Sequence, residues 1–95
     1  MEHGASINKE DNKGYTPLLY ASQEGYITIV KYLVEHGANI NIENNIGWIS
    51  LFFECMEGHI YGIKYFVEQG VNINKESNNG YTPYLLHVKK GISMQ

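Results

Sequence analysis

Apolar and polar positions alternate along this chain with the spacing of short helices, and the whole pattern recurs. Between residues 27 and 36, Ile27, Val30, Leu33 and Val34 fall on one face of a helix, with Thr28, Lys31 and Tyr32 among the residues between them. Just upstream, Thr16 can accept a hydrogen bond as a helix N-cap and Pro17 fits a first helical position, which predicts a short helix from about Pro17 to Glu24. Gly25 supplies a left-handed residue to end it, and Gly37 ends the second, longer helix near His36. From Ala38 to Trp48 the chain is rich in Asn and Gly and reads as an extended, hairpin-like loop leading to the next helix pair. The unit is therefore helix, tight turn, helix, projecting loop.

That unit repeats every 33 residues. Residues 11–43 and 44–76 align without a gap and share 15 of 33 positions. A third copy begins at Ser77 and stops halfway by Gln95, and residues 2–10 match the tail of a copy without its beginning. A fixed period of this size signals stacked units, none of which can bury its apolar face alone. The expectation is one domain with complete repeats at 11–43 and 44–76, flanked by partial repeats at 1–10 and 77–95. Function should then lie on an extended surface rather than in a pocket.

The spacing of Gly14-Tyr15-Thr16-Pro17-Leu18, Gly25, Ile29-Val30, Leu33-Val34 and Gly37-Ala38-Asn39-Ile40-Asn41 resembles the ankyrin repeat. The resemblance covers nearly the whole chain and implies an all-α ankyrin-repeat solenoid of stacked helix-turn-helix units with projecting loops. The middle copy departs from it. Trp48-Ile49-Ser50-Leu51 stands where the family has threonine and proline, so that helix start should lack its side-chain cap. The paired small residues of the inner helix are Ala21-Ser22 in the first copy but Glu54-Cys55 and His87-Val88 in the next two. Gly62 falls inside an outer helix, at a cost of about 1 kcal/mol relative to alanine. The later repeats are expected to be less regular and less stable than the first.

Composition narrows the function. All seven basic residues are lysines and the formal net charge is −3. Arginine is the preferred partner for phosphate and guanine, so its absence argues against nucleic acid. No apolar run approaches the roughly 18 residues of a membrane span, and none of the phosphate-loop, zinc-protease, paired-cysteine or nucleophile-elbow spacings occurs. Neither an enzyme nor a bound cofactor or metal is expected. The amino-terminal residues MEHGASINKE lack the basic and apolar regions of a signal peptide, and Cys55 is the only cysteine, which fits a reducing cytoplasmic or nuclear setting. Cys55 reads as a packed core thiol. Asn39, Asn41, Asn72 and Asn74 read as structural, bonding loop backbone. Glu54 and His87 occupy equivalent positions one period apart, so they either bond each other or turn out to solvent; the short inner helix favours solvent.

The resemblance implies that a partner touches the loop tips and the exposed inner-helix face. The matching residues are Asn12, Lys13, Tyr15, Gln23 and Glu24 in the first copy. In the second they are Asn45, Ile46, Trp48, Met56 and Glu57, and in the third Asn78, Asn79, Tyr81, Lys89 and Lys90. Tyr15, Trp48 and Tyr81 recur at the period as an aromatic column, which either anchors a partner or packs on the adjoining repeat. The expected partner is another protein. Two other readings stay open: a spacer or regulatory arm cut from a larger protein, and a structural element that associates weakly with itself through uncapped ends.

Overall fold

The computed structural model describes residues 7–89, with the side chain of Lys89 left aside. Helix α1 spans Pro17–Glu24 and α2 spans Ile27–Glu35. One period later α3 spans Ser50–Glu57 and α4 spans Ile60–Glu68, and α5 covers Pro83–Lys89. No strand occurs among the described residues.

The helix starts follow their local chemistry. Thr16 Oγ1 accepts the amide of Leu19 at 3.3 Å and Thr82 Oγ1 accepts that of Leu85 at 3.2 Å, so α1 and α5 each begin on a threonine cap followed by proline. Ile49 stands at the equivalent place before α3 and makes no side-chain cap bond, as the sequence suggests. Even so, α3 has the same 8 residues as α1, and α4 runs unbroken through Gly62 with the 9 residues of α2. The expected irregularity of the second repeat is thus absent from its helix lengths. Packing explains why: Ile49 is a core residue at 1% exposure, and the apolar contact it makes stands where a cap would. Inner helices α1 and α3 end on a left-handed glycine, Gly25 at φ 74° and Gly58 at φ 71°.

The helices form two layers. Inner helix α1 packs on α3 and α3 on α5, while α2 and α4 lie outside them, each against its own inner helix and against one another. The core is continuous across the repeats, from Ile7 and Leu18 through Val30, Leu51, Phe52 and Phe66 to Leu86. At the far end α5 packs on α3, and Tyr84, Leu85 and Val88 stay exposed. The result is an elongated body of 40 × 25 × 21 Å.

Candidate functional site

Three loop fingers precede the inner helices, and each is built on the same turn. In the first, Asp11 Oδ1 accepts the amides of Lys13 and Tyr15, both at 2.9 Å. In the second, Asn44 Oδ1 accepts those of Ile46 and Trp48, both at 3.0 Å. Ser77 Oγ does the same for Asn79 and Tyr81 at 3.3 and 3.1 Å. A side-chain oxygen at the head of each finger therefore replaces the backbone partners that a strand would supply.

Neighbouring fingers are also joined. The amide of Asn45 donates to the carbonyl of Lys13 at 3.0 Å, and its side chain donates to the carbonyl of Asn12 at 3.0 Å. Asn78 repeats both contacts one period on, with the carbonyls of Ile46 at 3.0 Å and Asn45 at 3.1 Å. Gly14 makes this approach feasible: a Cβ there would lie 2.5 Å from Asn45 Oδ1, and φ is 80°. The ladder holds the tips in register. The loop asparagines beyond the helices act similarly, since Asn39 Oδ1 accepts the amide of Asn41 and Asn72 Oδ1 that of Asn74.

The register fixes where each expected contact residue lies. Asn12, Lys13, Asn45, Ile46, Asn78 and Asn79 are exposed at the tips, Ile46 to 52%. Gln23, Glu24 and Glu57 are exposed at the ends of α1 and α3, while Met56 is half-buried and packed on the core. Tyr15, Trp48 and Tyr81 are half-buried. The side chain of Lys89 and all of Lys90 lie outside the described residues.

The aromatic rings do not stand as an isolated row. Trp48 lies 4.9 Å from Phe53 and 5.7 Å from Phe52, centre to centre, and Phe53 is in turn 5.7 Å from Tyr15. Phe53, buried on α3, thus bridges the first two members of the column. Tyr15 also stacks on Tyr20 at 4.8 Å, and Tyr20 donates its hydroxyl to Asp11. That hydroxyl is the first cause holding the Asp11 carboxyl below its ordinary range, ahead of the Tyr15 amide. Tyr20 and Phe53 are members of the cluster that the repeat alignment did not single out, because their equivalents are Phe53 and Leu86, which carry no polar mark.

Glu54 and His87 correct the sequence reading. They neither bond each other nor reach solvent: both are buried, at 1% and 0% exposure. His87 Nδ1 lies 3.2 Å from the carbonyl oxygen of Cys55, and Glu54 Oε1 lies 2.8 Å from His59 Nδ1. Two neighbouring repeats leave no route outward for a side chain at this position, so each group takes the nearest polar atom. Burial lifts the Glu54 carboxyl to about 7 despite the opposing effect of His59, and pushes the Cys55 thiol up to about 12. Among the described residues no three of His, Cys, Asp and Glu come together as metal ligands, and no helix is long and apolar enough to cross a membrane.

Residues 1–44 match the family model of ankyrin repeats (3 copies). No curated protein matches the chain.

Proposed function

We propose that this chain, whose residues 1–44 match the model of ankyrin repeats, a family whose members are in general non-catalytic protein-interaction modules, binds another protein through its loop tips and the concave face of its inner helices. The module consists of complete repeats at 11–43 and 44–76 with partial repeats at 1–10 and 77–95. The observation that carries the reading is the register of the fingers. The Asn45 and Asn78 ladder sets Lys13 and Ile46 at matched heights with their side chains exposed, and the half-buried Tyr15 and Trp48 are braced from beneath by Phe53. Rigid aromatic rings flanked by exposed apolar and polar tips are what a binding surface needs, because little conformational entropy is lost on contact. With lysine as its only basic residue type and a net charge of −3, the surface makes a poor footprint for nucleic acid.

Affinity capture with four chains tests the proposal. The wild type and a convex-face control, Tyr61→Ser, should retain the same protein partner, since Tyr61 is 77% exposed on the opposite layer. Ile46→Ser and Trp48→Ala should lose it. Equal loss in the Tyr61 variant, or retention in both concave variants, would reject this face as the contact.

A further inference from the structure

Three departures of the second repeat from the first come together in space. Glu54 stands where the first repeat has Ala21, His59 where it has Tyr26, and Gly62 where it has Ile29. Glu54 Oε1 and His59 Nδ1 are 2.8 Å apart. A Cβ on Gly62 would lie 2.4 Å from the Glu54 carboxyl carbon, so the missing side chain on α4 is the slot that the carboxyl occupies. A Cβ on Gly25 would lie 2.8 Å from the His59 ring, so the turn of the first repeat is the wall against which the imidazole rests. Around them lies a cleft of about 180 Å³ lined by Gly25, Ile27, Glu54, His59, Ile60 and Gly62 together with Tyr61.

We propose that Glu54, His59 and Gly62 form a proton-operated latch that holds the start of α4 against the first repeat's turn at Gly25, closed while the buried Glu54 carboxyl carries its proton and loosened once that proton is lost. Few groups compete for that proton. From α1, α2 and the turn between them the pair meets Gly25 and Ile27, which do not titrate. On its own helix the neighbour is Cys55, whose thiol burial holds protonated. On α5, His87 is turned to the Cys55 carbonyl; His59, which caps the start of α4, touches the carboxyl, and on α4 itself the titratable group lining the cleft is Tyr61.

The direction follows from the burial. An unfolded glutamate releases its proton near 4.5, whereas this one holds it to about 7. Across that interval the folded chain binds more protons than the unfolded chain, so folding weakens as pH climbs from 4.5 to about 7 and stays weakened above it. The region that should open is the α3–α4 turn. Its closing bonds run from the amide of His59 to the carbonyl of Glu54 and from the amide of Ile63 to the carbonyl of His59, both at 2.9 Å.

A carbon-13 titration of the side-chain carboxyls in the wild-type chain reads the latch directly. The Glu54 resonance should shift with a midpoint near neutrality, and a midpoint below about 5.5 overturns the proposal. Hydrogen exchange adds the mechanical half. Corrected for intrinsic base catalysis, the opening of the Ile63 amide should rise about tenfold or more between pH 5.5 and 8.5, within the limit that linkage sets. Glu54→Gln should abolish that rise. If that variant does not fold, the paired replacement Glu54→Ala with Gly62→Ala removes the acid and fills its slot, and should show the same flat profile. A rise that persists in either variant, or a flat wild type, overturns the latch.

Discussion

The side-chain amide of Asn78 donates to the carbonyl oxygen of Asn45 at 3.1 Å, repeating at one period the bond that Asn45 makes to Asn12 at 3.0 Å. Asn45 therefore receives from the next finger and donates to the previous one. Asn45→Ala removes the bond to Asn12 and should lower stability by about 1 kcal/mol in urea denaturation, the usual net value of one hydrogen bond. The lost register should also weaken partner binding more than the stability change alone accounts for. An Asn45→Ala chain with unaltered affinity and unaltered denaturation midpoint would show that the ladder is ornamental.

Gly62→Ala sets helix propensity against space. In an open helix the change stabilises by about 1 kcal/mol, but here the new methyl would meet the Glu54 carboxyl at 2.4 Å. The expected result is a loss of about 1–3 kcal/mol, typical of overpacking. On a Glu54→Ala background the same change should stabilise, and thermal melts of the four chains give the coupling between the two sites.

Thr16→Ala should destabilise by about 1 kcal/mol through loss of the bond to the Leu19 amide. Helix α3, which begins on Ile49 without a side-chain cap, offers the contrast. Ile49→Ala should cost about 2–5 kcal/mol, because there the start of the helix rests on core packing. Chemical denaturation that finds Thr16 the costlier position would reverse this account.

Cys55 should be inert in the native chain. It is 4% exposed and its thiol is pushed up to about 12, so the reactive thiolate is scarce at neutral pH. Ellman's reagent should label it only at the rate of unfolding. Rapid labelling without unfolding would mean that the second repeat opens locally.

Residues 83–89 should lose amide protection before the rest. Helix α5 has no outer helix over it among the described residues, and Leu85 and Val88 remain about half exposed. Native-state hydrogen exchange should find the Leu86 amide opening well before those of Val30 and Leu33.

Much of this architecture is legible in the chain. Thr16-Pro17, Gly25 and the Ile27–Val34 face place α1 and α2 to within a residue, because caps, breakers and helical spacing are local signals. The 33-residue period then carries the assignment to α3 and α4. Glu54 was not legible in the same way. Its partner, five residues on, lies across a turn, and its slot exists because Gly62 sits on another helix, so neither appears as spacing along one element. The alignment left Glu54 either a bond to His87, its equivalent, or a place in solvent, with solvent favoured, whereas burial gave each a nearer partner. For the aromatic column, periodicity put Tyr15 and Trp48 on one edge but was blind to Phe53 beneath them, since apolar residues look alike in a pattern.

The turn that opens each finger is made by three different side chains, Asp11, Asn44 and Ser77, doing the same work for the backbone. What that turn requires of residues 13 and 46 is their main chain alone: an N–H for the oxygen behind and a carbonyl for the finger ahead. Their side chains are thereby free variables of the scaffold. A repertoire of lysine, isoleucine, arginine or tyrosine at these positions could be exchanged without altering the frame, so new specificities on this body can be written one finger at a time.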